Sequence, residues 1–390
     1  MLAPLKSPLQ LYIHIPFCIH KCHYCDFNSH VRDKPPWEAY QQALIHELEH
    51  WAQQAQFQGR PLHSVFFGGG TPSLAPAALI SSVLASAKSL FGFEKHIEIS
   101  MEANPGTVDM QAFQGFHHAG INRLSMGAQS LDQKELQWLE RIHNHDEVYQ
   151  AFEAARCAGF DNVNLDLMYG LPHQTLDQWQ QTLAAALILN PEHLSCYQLT
   201  VEPHTKLATR HASSPYALPD DEASLQFFYQ TRQHLLNAGY QAYEISNFSK
   251  AKQYCRHNDG YWLYHDYIGI GAGASGKWDM HDGGTYRYSN HRSPEKYIQQ
   301  VMTKIHAVSS HESLNLRQAA AEAVWVGLRR KTGIDDQWFT QRFQHNILYY
   351  FQRELEPWIQ SNQLLWSGSN LQLDESGIAL ADAIAGSVIQ

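Results

Sequence analysis

The sequence predicts an α/β protein: a partial (β/α)6 barrel followed by a smaller C-terminal α+β domain of winged-helix type. Three observations predict it. Short apolar runs alternate six times with longer helical stretches over residues 8–240, the pattern of a parallel sheet with right-handed crossovers. Residues suited to chemistry fall at or just after the ends of those runs, where α/β barrels keep their working groups. From about His311 the pattern changes to helices followed by a short hairpin. An open doubly wound sheet is the alternative reading of the same alternation.

Strands are expected at 11–15, 63–67, 97–101, 122–126, 162–168 and 193–200. Helices are expected near 37–55, 76–90, 108–118, 146–158, 175–189 and 221–238. Pro35-Pro36 precede the first helix, and Thr107 and Thr175 are candidate N-caps. Gly120 and Gly159 fall where the chain should leave a helix. Residues 241–310 read as a connecting segment. In 311–390, helices are expected near 317–331 and from Asp335-Asp336. A hairpin follows, pairing Leu364–Trp366 with Leu371–Leu373, and a last helix lies near 376–389.

At 390 residues with 44% hydrophobic composition, the chain can bury one large core and a smaller one. Its formal net charge of -10 argues against nucleic acid or an anionic membrane as the main partner. No run approaches the roughly 20 apolar residues a membrane-spanning helix needs, and residues 1–10 contain no long apolar segment. The expectation is a cytoplasmic protein that is not integral to a membrane. Six cysteines are too sparse for a disulfide-stapled secreted fold. The 24 histidines include His46 and His50 on one expected helix, and no role is assigned to these two.

Cys18, Cys22 and Cys25 form a C-x3-C-x2-C spacing directly after the first strand. Three thiolates this close can converge on one metal centre, one ligand short of a closed iron–sulfur or structural zinc site. A [4Fe-4S] cluster held by three cysteines leaves one iron open to a small molecule. Zinc with His20 or His23 as fourth ligand is the competing reading, since soft thiolates serve both.

The other strands place unusual residues on the same rim. Gly68-Gly69-Gly70-Thr71-Pro72 follows the second strand; it is no Walker-type loop, and its use would be close backbone approach to a ligand. Glu102 ends the third strand, Gln129 follows the fourth with Arg141 beyond it, Asp166 lies near the end of the fifth, and Thr200 ends the sixth. Taken singly, Glu102 and Asp166 also read as buried carboxylates paired with Arg123 or Arg141. A purely structural reading gives no reason for six strands to agree on one rim.

These motifs resemble the radical S-adenosylmethionine (SAM) family. The strings Tyr12–Cys18, Asn122–Gly127 and Asp166–Pro172 narrow the resemblance to the branch containing oxygen-independent coproporphyrinogen III dehydrogenase and its heme-chaperone relatives, from about Tyr12 to Gly276. The resemblance implies a [4Fe-4S] cluster on Cys18, Cys22 and Cys25, with SAM chelating the open iron. It implies that Gly69, Gly70 and Thr71 line the methionyl end. Tyr12, Tyr24, Glu102, Gln129, Arg141 and Asp166 are implied as further SAM contacts, with Thr200 and Ala274 as weaker ones. A sulfonium with a zwitterionic tail does need carboxylates, backbone groups and an aromatic wall.

Two features set the dehydrogenase apart. It carries a further cysteine two residues after the third cluster cysteine, where this chain has Phe27, and a longer segment before the first strand. Both favour the chaperone over an enzyme acting on coproporphyrinogen III. His257-Asn258-Asp259-Gly260-Tyr261 resembles the H-N-x-x-Y motif tied to heme binding in that relative. His257 would offer a neutral imidazole to heme iron, Asn258 would orient it, and Tyr261 would stack or hydrogen-bond at the porphyrin. Read without the resemblance, His257 caps a loop. The implied partners are heme and respiratory heme apoproteins, membrane-bound ones included, but not nucleic acid. From Glu312 on, six basic residues face nine acidic ones, so the C-terminal domain reads as a packing or partner surface, not a DNA reader.

Overall fold

A computed structural model describes residues 7–389. Six parallel strands lie side by side in chain order: β1 (Leu9–Ile15), β2 (Leu62–Gly69), β3 (Phe93–Ala103), β4 (Arg123–Gln129), β5 (Val163–Tyr169) and β6 (His193–Gln198). Crossover helices α1 (Trp37–Ala52), α2 (Ala77–Phe91), α3 (Met110–Ala119), α4 (Gln133–Trp138), α5 (His145–Cys157) and α6 (Leu176–Ile188) connect them. Past β6 come α7 (Lys206–Ser213) and α8 (Asp221–Asn237).

β4 and β5 alternate with a parity that decides the site. Along β4, Leu124, Met126 and Ala128 are fully buried beneath the helices, while Arg123, Ser125, Gly127 and Gln129 line the inner face. Along β5, Val163, Leu165 and Leu167 are buried outward and Asn164, Asp166 and Met168 turn inward. Register carries the inner rows from strand to strand: Tyr12 opposes Phe66, Phe66 opposes Ser100, and Ser100 opposes Arg123. Period-two patterning here means apolar toward the helices and polar toward the barrel axis.

The local signals explain most boundaries. Thr175 caps α6 in a capping box with Gln178. Gly120 ends α3 in the left-handed region at φ 111°. Asp109, not Thr107, caps α3: its carboxylate accepts from the Ala112 N–H, while Thr107 closes a short 3-10 turn upstream.

Residues 241–310 do more than connect. β7 (Gln241–Ala242) and β8 (Asn247–Ser249) extend the sheet beyond β6, antiparallel. Helix α9 (Arg256–Trp262) carries the H-N-x-x-Y residues. Then β9 (Asp266–Ile270) joins β1 in parallel, and β10 (Ser275–Asp279), β11 (Thr285–Asn290) and β12 (Val308–Leu314) continue antiparallel, with α10 (Pro294–Lys304) before the last. The described residues thus form a twelve-stranded sheet in the order β12-β11-β10-β9-β1-β2-β3-β4-β5-β6-β8-β7. The main hydrophobic core runs from Leu9 to Ala307 and includes Ile268, Tyr288 and Val301 of this arm. Glu47 locks the arm to α1: fully buried, it accepts from Tyr297 Oη (2.7 Å), the Gly271 N–H (3.0 Å) and Asn290 Nδ2 (2.7 Å).

A second core, from Leu314 to Val388 with Tyr264, holds the C-terminal domain together. Its order is α11 (Leu316–Gly327), β13 (Ile334–Asp335), α12 (Asp336–Phe343), α13 (Ile347–Gln360), β14 (Leu364–Ser367) and β15 (Asn370–Leu373). β15 lies between β13 and β14, the arrangement of a winged helix. The expected last helix is shorter, a 3-10 turn followed by α14 (Ala381–Gly386). Arg342 pairs with Asp279 at 2.7 Å, and Arg330 grips Asp259 of α9 through Nε (2.8 Å) and Nη2 (3.3 Å).

Candidate functional site

One cavity of about 630 Å³ opens within the barrel, the size of a ligand site. Of the residues that the sequence singled out for cluster, SAM or heme, these line it: Cys18, Cys22, Cys25, Tyr12, Tyr24, Gly69, Gly70, Thr71, Glu102, Gln129, Arg141, Asp166, His257, Asn258 and Tyr261. Thr200 and Ala274 are not part of the lining.

The cysteine loop sits on the rim, pinned at several points. Phe17–Cys18 pairs in parallel with His30–Val31, and the Gly70 N–H donates to Ile15 O at 2.8 Å. Asn28 Nδ2 donates to Ala272 O (2.8 Å) and Arg292 O (2.9 Å), so the arm braces the loop from behind. Gly70 permits the closest approach: a Cβ there would lie 2.8 Å from Phe17 O and 3.0 Å from Cys18 Sγ. Gly69 has φ 121°, which a side chain would strain, and its N–H donates to Glu102 Oε2 at 3.0 Å.

The three thiols are free of disulfides and face the same space. Burial pushes the Cys18 thiol up, its neighbours Cys25 and Cys22 add to this, and the Thr71 hydroxyl, donating at 3.3 Å, partly offsets it. Arg141 Nη1 donates to Cys22 Sγ at 3.6 Å. Among the described residues no three His, Cys, Asp or Glu side chains converge as they would around one metal ion. His20 stands 3.7 Å from Glu140. His23 packs edge-on against Trp138 at 4.9 Å and is not part of the cavity lining. This donor set fits a [4Fe-4S] cube, in which each thiolate takes its own iron, better than a single zinc.

α7, which the sequence reading passed over, adds Leu207 to an apolar cluster beside the cysteine loop. Leu207, Leu139, Leu171 and Leu199 are buried together against Tyr24. The carboxylates make no ion pair with Arg123 or Arg141. Glu102 takes the Gly69 N–H; Asp166 accepts from Asn164 Nδ2 (2.8 Å) and Ser125 Oγ (3.1 Å). Burial, then the nearby Asp166, push Glu102 up to about 8. Burial also raises Asp166, against the hydrogen bonds from Asn164 and Ser125. Arg141 instead donates to Gly127 O at 2.8 Å.

α9 supplies the floor. His257 is 1% exposed, and both ring nitrogens are engaged: Nδ1 with Ser64 Oγ and Nε2 with Tyr261 Oη, each at 2.9 Å. Its backbone N–H donates to Glu98 Oε1 (3.1 Å), and Gln10 Nε2 donates to its carbonyl (3.0 Å). Ser64 and Tyr261, rather than Asn258, therefore set the ring's orientation. Burial lowers the imidazole to about 3, so it is neutral at physiological pH. Phe66 lies beside it at 5.2 Å between ring centres. Phe66, Arg123, Asn164 and Ser195 also line the lower cavity. The sequence reading assigned none of them a role at a site; their shared parity with Tyr12, Glu102 and Asp166 was the signal.

The profile of the radical SAM superfamily matches residues 12–186. Curated relatives extend the match. The heme chaperone HemW of Haemophilus influenzae is 46% identical over 298 residues, 76% of this chain and 77% of that protein. The one from Escherichia coli is 44% identical, over 75% and 76%. The Bacillus subtilis protein of the same name is 33% identical over 97% and 98%. The chain belongs to the HemW family of radical SAM proteins. Among solved structures, coproporphyrinogen III oxidase (HemN) from Escherichia coli, described as a radical SAM enzyme, superposes with a TM-score of 0.83. That match is 25% identical and covers 99% of this chain and 91% of the other. Membership of the radical SAM superfamily implies the cluster and SAM, and the HemW relatives' name connects them to heme. None of the described helices is long and apolar enough to cross a membrane.

Proposed function

We propose that the protein binds heme and delivers it to respiratory apoproteins from the cytoplasm, with a [4Fe-4S] cluster and SAM as required structural or regulatory elements. One observation carries the reading: the cysteine loop, the glycine loop, the rim carboxylates and the H-N-x-x-Y helix all face a single cavity. Cys18, Cys22 and Cys25 hold the cluster. When bound, the cluster supplies an open iron for the amino and carboxylate groups of SAM. Gly69, Gly70 and Thr71 offer backbone and hydroxyl groups to the methionyl end; Tyr12 and Tyr24 wall the cofactor. Glu102, Gln129, Arg141 and Asp166 contact its polar groups. Thr71 and Arg141, already donating to Cys18 and Cys22 sulfur, tune the cluster through those bonds. His257 is the heme ligand of this reading, and ligation requires Nε2 to give up Tyr261.

A second reading, oxidative decarboxylation of coproporphyrinogen III, draws support from the full-length likeness to HemN. Against it, Phe27 occupies the position of the dehydrogenase's further cysteine and stands 57% exposed at the cavity mouth. The test is anaerobic reconstitution with iron and sulfide, then parallel assays: hemin titration of wild type and His257→Ala, heme transfer to an apocytochrome, and turnover of coproporphyrinogen III. Hemin binding that weakens in His257→Ala, with transfer and no decarboxylation, is expected. Decarboxylated product overturns the chaperone reading; unchanged affinity in the variant removes His257 from it.

A further inference from the structure

Arg123 opens β4 with its side chain turned inward, 2% exposed and part of the cavity lining. Its Nε has no hydrogen-bond partner among the described residues. The acids around it are committed elsewhere. Glu98 accepts from the backbone N–H groups of Arg256 (3.0 Å) and His257 (3.1 Å), and Asp166 accepts from Ser125 and Asn164. The charges of Glu98 and Asp166 favour the guanidinium from a distance, but neither closes an ion pair or hydrogen bond with it, and its planar fork matches a carboxylate. Along the same inner row, Tyr12 and Phe66 form an aromatic face with His257, with ring centres 6.3 Å apart for Tyr12–Phe66 and 5.2 Å for Phe66–His257. A cation and an aromatic face lining one cavity suit a flat conjugated ligand that carries an acid.

We propose that Arg123 anchors a carboxylate of the cavity's ligand, and that this carboxylate is a porphyrin propionate. The assignment rests on the heme reading above and gives it a specific contact. The aminoacyl carboxylate of SAM is the other source of the same chemistry, and the register argues against it. Arg123 shares its row with Ser100 and Phe66, whereas Gly70, beside Cys18, lies four residues beyond Phe66, just past the end of β2 and roughly 13 Å away at strand rise. A carboxylate held at the cluster is out of reach of a side chain rooted in that row. Esterifying the propionates removes their charge and leaves ring and iron unchanged.

The experiment titrates the reconstituted, SAM-loaded full chain with hemin and with hemin dimethyl ester in one micellar buffer, for wild type, Arg123→Lys and Arg123→Gln. SAM affinity is measured on the same samples. Wild type is expected to prefer hemin by about tenfold or more, the worth of a charge-assisted bond. Arg123→Lys should keep part of that preference, Arg123→Gln should lose it, and SAM affinity should be unchanged. Equal wild-type affinity for hemin and its ester overturns the anchor and leaves the heme reading standing; the comparison needs no variant to fold. Weakened SAM binding in Arg123→Gln with an intact hemin preference assigns the guanidinium to SAM and overturns the propionate. Failure of wild type to bind either porphyrin overturns both readings.

Discussion

If His257 ligates heme iron, removing the Tyr261 hydroxyl should tighten heme binding. Tyr261 Oη and His257 Nε2 are 2.9 Å apart, so iron binding at Nε2 must displace that bond. A neutral hydrogen bond of this kind contributes about 1 kcal/mol net. Tyr261→Phe loses the bond in advance while the ring keeps its edge contact with Tyr267 at 4.8 Å. Heme affinity should therefore rise about fivefold. Ser64 still holds Nδ1, so the imidazole stays aimed. The assay is Soret titration of reconstituted protein at pH 7, repeated in a His257→Ala background, where the gain should vanish. The histidine lies at about 3, so it takes up a proton only below that value and contributes no slope to the affinity between pH 5 and 8. Unchanged or weaker binding in Tyr261→Phe refutes the idea that the hydroxyl withholds the ligand nitrogen.

Other perturbations test the remaining geometry. Gly70→Ala places a Cβ 3.0 Å from Cys18 Sγ, so iron and acid-labile sulfide per chain should drop after reconstitution, measured by metal and sulfide analysis. Burial raises Glu47 to about 7 and Glu102 to about 8 from the 4.5 of a free glutamate, so the folded chain binds more protons than the unfolded one between these values. Thermal stability of the ligand-free protein should fall as pH rises from about 4.5 toward 8 through these two groups, and Glu102→Gln should flatten the upper part of that slope. Arg330→Ala removes the pair with Asp259 and should cost α9 about 1–2 kcal/mol, seen as roughly tenfold faster hydrogen exchange across 256–262.

The barrel was legible because its strands are short apolar runs, each ending in residues too odd for a core. The arm from β9 to β12 was not. Ser275–Asp279 and Thr285–Asn290 carry lysine, arginine, aspartate and tyrosine, and their stability comes from partners distant in sequence. Lys277, fully surrounded, lies 3.1 Å from Asp279 and 3.6 Å from Asp266. Glu47 looks like an ordinary acid on an expected helix face, yet its three donors are 224 to 250 residues away. No window along the chain contains such a contact. The floor of the site failed for a subtler reason. A polar residue in an apolar strand usually reads as solvent-facing, but helices cover the outside of this barrel, so the parity inverts and Asn164, Ser125 and Arg123 point to the cavity.

That inversion also separates two kinds of inward polar residue. Asn164 is fully occupied, donating to Ser125 and Asp166 while its oxygen accepts from His193 and Ser195. Ser64 Oγ accepts from Gln10 Nε2 at 2.9 Å and pairs with His257 Nδ1. These groups close their hydrogen bonds within the protein and fix the cavity's shape, so their loss should lower the stability of the empty chain. Among the described residues, Arg123 and Arg141 each keep a buried Nε without a partner. Unfulfilled donors of this kind weaken the empty protein and strengthen the bound one, because a ligand that binds only the folded state stabilises it by mass action. Saturating ligand should therefore raise the melting temperature of wild type more than that of a variant lacking either guanidinium, whereas Asn164→Ala should lower it with and without ligand. Among the residues that line the cavity, these two guanidinium groups are the expected contacts of an acidic group on the ligand.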